Sequence, residues 1–231
     1  MTRPLAMGRY GRIAIVRRPG DFPDVRTGPG DFPVAVGVAL TPELMLGGYQ
    51  RGIFAWSDEP VAWWSPDPRA VMPLDGFHVS RSLARTLRQD RFEVTVDQAF
   101  AGVVRGCATG RYPGDATWIS PRFAACFDRL FASGHAHSVE CWSDGQLAGG
   151  VFGVSIGGYF SAESMFHRVT DASKVALYYL VEVLGSAGFG LLDIQVLTPH
   201  TRSLGGVDIP RDAYLDLLAR ALLRTPRPIR R

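Results

Sequence analysis

From residue 80 onward, the hydrophobic and polar positions of the chain fall into clear periods. "SRSLARTLRQ" has helical spacing, "RFEVTV" alternates as a strand does, and "DQAFAGVVRGCA" sets Phe100, Val103, Val104 and Cys107 on one helical face behind Asp97 as cap. In "SPRFAACFDRLFASG", Ser120 caps, Pro121 starts the first turn, and Phe123, Phe127, Leu130 and Phe131 form the apolar stripe. Three strands follow, "AHSVECW", "QLAGGVFGV" and "YFSAESMF", joined by turn residues at Ser143-Asp144-Gly145 and from Ser155 to Gly158. "TDASKVALYYLVEVLG" is apolar on nearly all sides, which predicts a buried helix stopped by Gly185. A strand in "LLDIQVLTPH" and a helix in "IPRDAYLDLLARALL" close the chain.

The first part of the chain is less regular. Residues 1 to about 33 are rich in Pro, Gly and Arg without a sustained period and read as an irregular lead-in. "TPELMLGGYQRG" then predicts a short helix with Thr41 as N-cap, Pro42 in its first turn and Gly52 just beyond its end. The Trp- and Pro-rich "IFAWSDEPVAWWSPDPRAV" excludes a long regular element. The expected division is a leader and small N-terminal domain over residues 1–78, followed by a catalytic domain over residues 79–231.

The resulting order is β-α-α-β-β-β-α-β-α. Its antiparallel meander, helical crossover and further strand predict an α+β fold: a mixed sheet with flanking helices, similar to the N-acetyltransferase superfamily. In that fold the strands on either side of the crossover helix splay apart, and an acyl donor meets an amine between them. On this mapping Glu163 lies on one wall and Asp193 with Gln195 on the other.

The last strand poses the sharpest chemical question. Alternation puts Leu191, Asp193, Gln195 and Leu197 on one side and Leu192, Ile194 and Val196 on the other, so a carboxylate and an amide look into one space. Left without partners, each buried group would cost on the order of 1–3 kcal/mol. They either brace the following "HTRSLGG" loop or face a cleft. Trp56, Trp63, Trp64 and Trp118 lie in irregular segments, where aromatic faces either stack nucleobases or pack the domains together. His135 and His137 in "GHAHS" share a strand face but have no third ligand at a persuasive spacing, so hydrogen bonding at a strand start is the simpler account.

Composition narrows the classes. With 231 residues and 46% hydrophobic content the chain can bury a sizeable core. Its net charge of +3 permits contact with a polyanion without demonstrating one, and the arginine excess lies mostly at the two ends. Three cysteines without paired spacing point to a reducing, cytoplasmic setting. No apolar run reaches the ~18 residues of a membrane helix, so no membrane partner is expected. Neither a G-x-x-x-x-G-K-[ST] nor a G-x-G-x-x-G motif is present, and the crossover-helix start "FHRVTDASK" lacks the glycine-rich loop typical of CoA donors.

Several longer words are family-specific. "YQRGIFAW", "WWSPDPRAV", "TWIS", "GHAHSVECW", "AESMF", "DASKVAL" and "DIQVLTPHTRSLGG", in this order, closely resemble the bacterial leucyl/phenylalanyl-tRNA–protein transferases from about residue 32 to about residue 220. The resemblance implies transfer of Leu or Phe, in some members Met, from the 3′ aminoacyl-adenosine end of aminoacyl-tRNA to proteins beginning with Arg or Lys. The product is marked for degradation as an N-degron. No cofactor and no metal is implied, and the setting is cytoplasmic.

Residue by residue, the resemblance implies that Asp193 and Gln195 are the catalytic pair facing the aminoacyl ester. It makes Glu163 an acidic site residue, Met165 a wall of the apolar side-chain pocket, and Trp56 and Trp118 ligands of the aminoacyl-adenosine end. Gln195 is expected to orient the amine, with Asp193 holding Gln195 or drawing off a proton. Glu163 and Asp193 are the candidates for recognising a basic N-terminus. The chain departs from the family in "GVAL" for "GGDL", "IFAW" for "IFPW" and "DIQ" for "DCQ", none of which removes an implied catalytic side chain. A CoA-dependent N-acyltransferase and a non-catalytic reader of basic N-termini are the alternatives.

Overall fold

A computed structural model describes residues 5–8, 11–109 and 117–229. Strands β1 (Leu5–Gly8), β2 (Gly11–Val16) and β3 (Ala35–Gly37) precede helix α1 (Pro42–Tyr49), and β4 (Phe54–Asp58), β5 (Val61–Trp64) and β6 (Arg69–Val71) follow it. Thr41 caps α1 by accepting the Leu44 N–H, with Pro42 in the first turn, as the sequence predicts. Next come α2 (Arg81–Arg88), β7 (Glu93–Val96), α3 (Phe100–Ala108), α4 (Pro121–Ala132), β8 (Ala136–Ser143), β9 (Gln146–Ile156) and β10 (Tyr159–His167). The chain ends with α5 (Ala172–Ala187), β11 (Leu191–Gln195), α6 (Pro199–Ser203), β12 (Val207–Ile209) and α7 (Arg211–Leu222).

These elements build two sheets, in the orders β1-β2-β3-β5-β4 and β12-β6-β11-β10-β9-β8-β7. In the larger sheet β7 to β10 run antiparallel, α5 crosses over, and β11 returns parallel to β10 with Ser161 opposite Asp193. The chain leaves the smaller sheet after Trp64 and enters the larger one at Arg69, ahead of residue 78, because β6 pairs with β11 and β12. One face of the larger sheet, through Phe160 and Leu192, packs on α5. The opposite face, through Phe152, Val154, Tyr159 and Leu191, shares a core with α3, α4 and the smaller sheet's Phe54 and Trp63. Asp193 and Gln195 belong to that second side.

Some local expectations change. Within the lead-in, Gly11–Val16 forms β2, stabilised by parallel pairing with β3, a partner too distant for local pattern to reveal. Residues 1–4 and 9–10 of that lead-in, and the last two arginines, lie outside the described residues. Asp97 does not cap α3: it adopts φ +59°, accepts the Ser138 N–H and bonds His137 Nδ1 at 2.7 Å, so it ties β7 to β8. Buried Glu140 instead accepts the Gln98 and Ala99 N–H groups ahead of the helix. Helix α5 continues through exposed Gly185, a cost of only about 1 kcal/mol, and ends at Gly188 with φ +92°.

Candidate active site

Strand β11 does not alternate to its end. Against β6, the register moves from Asp193 opposite Val71 to Gln195 opposite Ala70, so one extra residue is bulged out. The Val196 N–H returns to the Ile194 carbonyl at 2.7 Å and closes a three-residue turn around Gln195, whose φ is +64°. A non-glycine residue held there costs on the order of 1–3 kcal/mol and must be fixed by its surroundings.

Asp193 does the fixing. It is 0% exposed, and its two oxygens accept five hydrogen bonds. Oδ1 takes Arg69 Nε at 2.9 Å and the Gln195 backbone N–H at 2.8 Å; Oδ2 takes Arg69 Nη2 at 2.6 Å and the Tyr159 and Tyr214 hydroxyls at 2.8 Å each. Burial opposes the charge of Arg69, yet the Asp193 carboxylate outweighs it and holds the guanidinium above its ordinary value. Arg69 is sandwiched between Phe54 and Tyr214, 4.8 and 4.5 Å from their ring centres, and donates from Nη1 to the Gly52 carbonyl. Gly52 has φ +73°, and a Cβ there would lie 2.7 Å from Leu215, so only glycine brings this carbonyl close.

The second carboxylate has no cation. Glu163 accepts Ser161 Oγ at 2.7 Å and Gln195 Nε2 at 3.0 Å on Oε1, and the Tyr49 hydroxyl also bonds the carboxylate. Burial pushes its pKa up to about 7, the three donors pull the other way, and the nearby Asp193 charge adds to the rise. Gln195 Nε2 also donates to Ser161 Oγ at 3.1 Å.

Half-buried Gln195 forms the wall of a pocket of about 210 Å³ with Phe54, Ala55, Trp56, Trp118, Ile194 and Val196. Trp56, 39% exposed, stands edge-on to Trp64, and Trp118 stands edge-on to Phe123. The Ser120 hydroxyl, which caps α4, reaches Asp58 Oδ2 at 2.5 Å and so links the two segments that carry these tryptophans. The structure therefore brings Gln195, Trp56 and Trp118 together, with Glu163 behind the amide. It does not bring Asp193 to the pocket, because Arg69 and two tyrosines enclose it. Met165 lines a separate hollow of about 530 Å³ with Gly106, Cys107, Thr109, Phe166, His167 and Arg168. His135 and His137 bond Ser133 and Asp97 respectively.

Comparison with known proteins matches residues 71–219 to the sequence pattern of the leucyl/phenylalanyl-tRNA protein transferases and residues 39–67 to that of their N-terminal domain. The chain belongs to the leucyl/phenylalanyl-tRNA protein transferase family. It is an aminoacyltransferase, and the CoA-dependent and non-catalytic alternatives give way to that membership. The leucyl/phenylalanyl-tRNA–protein transferase of Nitratidesulfovibrio vulgaris strain DP4 is 48% identical over 200 residues, covering 85% of this chain and 86% of its own. That of Aromatoleum aromaticum is 47% identical over 212 residues and 90% of each chain. Among solved structures, L-PGS from Bacillus licheniformis aligns over 82% of this chain and 73% of its own, at a TM-score of 0.43 and 13% identity.

Within this family member, sequence reasoning missed Arg69, Tyr49, Tyr159, Ser161 and Tyr214. Tyr159, Ser161 and Glu163 alternate along β10, so the period-2 argument applied to β11 would have found a second polar face. Arg69 lies 124 residues from Asp193, and no local spacing connects them.

Proposed function

We propose that this protein transfers Leu or Phe, and in the broader family range Met, from the 3′ aminoacyl-adenosine end of aminoacyl-tRNA to the N-terminus of proteins beginning with Arg or Lys. On this reading the product is an N-degron and the setting is cytoplasmic. The observation that carries the reading is the convergence of the Gln195 amide with Trp56 and Trp118 on one pocket. Two aromatic faces suit an adenine and its ribose, and an amide suits an attacking amine. We assign Met165 and the hollow beside it to the donor's apolar side chain.

The chemistry asks little of the protein. The lone pair of a neutral α-amine forms the new C–N bond at the ester carbonyl, the C–O bond to the ribose breaks, and the nitrogen's proton ends on the ribose oxygen. An N-terminal amine of pKa ~7.7–8.0 is already partly neutral near pH 7. Orientation then supplies much of the rate, and Gln195 Oε1 is the group we assign to it. Asp193 is assigned to holding rather than to drawing off a proton: both its oxygens are engaged and Arg69 balances its charge.

The test is transfer of radiolabelled leucine from Leu-tRNA to a protein beginning with Arg, beside an identical one beginning with Ala. Label is expected in the Arg protein alone. Gln195→Ala should cut transfer by about 100-fold or more with the fold intact. Label in neither protein, with folded enzyme and charged tRNA, would sink the reading.

A further inference from the structure

Two carboxylates stand near the amide expected to meet the acceptor, and neither lines the pocket. Asp193 is neutralised by Arg69. Glu163 is buried, and its oxygens are taken by the Ser161 hydroxyl, the Tyr49 hydroxyl and the Gln195 amide. A carboxylate so enclosed is poorly placed to meet an acceptor's basic side chain. Its geometry toward Gln195 is a different matter.

The amide nitrogen of Gln195 donates toward two neighbours, Glu163 Oε1 at 3.0 Å and Ser161 Oγ at 3.1 Å. Ser161 gives its own hydrogen to Glu163 at 2.7 Å, which leaves its oxygen lone pairs for the amide. The three groups close a triangle that fixes which end of the amide faces Glu163. The carbonyl Oε1 of Gln195 is then the end turned away from the carboxylate, and that atom can accept a hydrogen from an amine but never donate one. Reversing the amide would aim Oε1 at an ionised carboxylate and take from the Ser161 oxygen the N–H that it accepts, since the Ser161 hydrogen is already given to Glu163. The backbone of Gln195 is meanwhile held by Asp193, so the two carboxylates fix different parts of one residue.

We propose that Glu163, with Ser161, is a positioning residue that locks the Gln195 amide with its oxygen toward the attacking amine, and that it does not recognise the acceptor's basic side chain. The inference rests on the assignment of Gln195 to the attacking amine. Glu163 acts as acceptor for the amide, so it works in its ionised form. The groups facing it are Tyr49 from α1, Ser161 from its own strand, and Gln195 and Asp193 from β11, with Arg69 of β6 behind Asp193. Glutamine at 163 could keep the geometry without the charge, its oxygen receiving the amide and Ser161 and its nitrogen donating to Tyr49.

The experiment compares the full-length wild type with Glu163→Ala, Glu163→Gln and Ser161→Ala. It reads kcat and acceptor KM for a protein beginning with Arg and the preference over one beginning with Ala. Far-UV circular dichroism melts accompany each variant. Glu163→Ala should lower kcat about 100-fold with acceptor KM within about threefold, and Glu163→Gln should recover kcat to within about tenfold of wild type. Ser161→Ala should lower kcat several-fold, and all three should keep the preference for Arg. A rise in acceptor KM with loss of that preference in both Glu163 variants would overturn the proposal, since charge recognition predicts it.

A second measurement needs no activity. The side-chain amide of Gln195, assigned in ¹⁵N NMR by its disappearance in Gln195→Ala, should exchange slowly with solvent. It should shift as Glu163 titrates near neutral pH, and Glu163→Gln should abolish that shift. A fast-exchanging amide that ignores pH would overturn the proposal even if transfer is normal. If the wild type transfers nothing but the amide behaves as described, the transferase reading fails and the positioning triangle stands.

Discussion

Asp193 and Glu163 are two buried carboxylates on neighbouring parallel strands, Asp193 lying opposite Ser161 two residues before Glu163, yet they differ in kind. Asp193 faces a guanidinium that is itself fully enclosed; Glu163 faces two hydroxyls and an amide. A cation can compensate the desolvation of a carboxylate, whereas neutral donors offset it only in part. The first is therefore a fixed ion pair and the second a group poised to titrate, with its pKa up to about 7. Similar burial produces a strut in one case and an adjustable contact in the other.

Removing the cation gives the largest expected effect. Arg69→Met leaves Asp193 buried and unbalanced, and stability in urea unfolding should fall by about 3–5 kcal/mol. Arg69→Met with Asp193→Leu should recover much of that loss, because two apolar side chains need no balance. Gln195 would still lose the acceptor for its backbone N–H, so transfer should stay low in the recovered protein. A loss below about 1 kcal/mol in the single variant would show that the pair is dispensable to the fold and that Asp193 tolerates isolation.

The stability–pH curve separates the two carboxylates next. Glu163 has a raised pKa in the folded state, so its neutral form stabilises the fold. That contribution is complete below its unfolded value of 4.5 and is lost as pH rises through about 7. Relative to Glu163→Gln, the wild type should lose on the order of 3 kcal/mol across that window, read from urea midpoints at pH 5 and pH 8. Parallel curves for the two proteins would mean that Glu163 is not buried as described.

How far the sequence could carry this contrast depends on the range of the interactions. The meander, the crossover helix and the caps at Thr41 and Ser120 were legible because their signals lie within a few residues. So was the placement of Asp193 and Gln195 on one side of β11. The opposite fates of the two side chains were not: alternation ignores the bulge that turns Gln195 to φ +64°, and Arg69 reaches Asp193 only through the pairing of β6. Family resemblance named Glu163 without revealing that Gln195, rather than solvent, receives its charge. Asp97 failed as a cap for the same reason, since its carboxylate has a better partner on β8.

The smallest effect removes one hydroxyl from each carboxylate. Tyr214→Phe leaves Asp193 with Arg69, Tyr159 and the Gln195 N–H, so the charge stays balanced and a loss of about 1 kcal/mol should appear equally at pH 6 and pH 8. Tyr49→Phe takes a donor that favours the ionised form of Glu163, and the pKa should climb further above about 7. Its cost should then be small at pH 6, where neutral Glu163 needs fewer donors, and larger at pH 8, where the charge must be held with one donor fewer. Urea unfolding of both variants at the two pH values makes the check. If the cost of Tyr49→Phe is flat with pH, Glu163 does not titrate in the neutral range. A steeper cost at pH 8 would tie the titration to the carboxylate that holds the Gln195 amide.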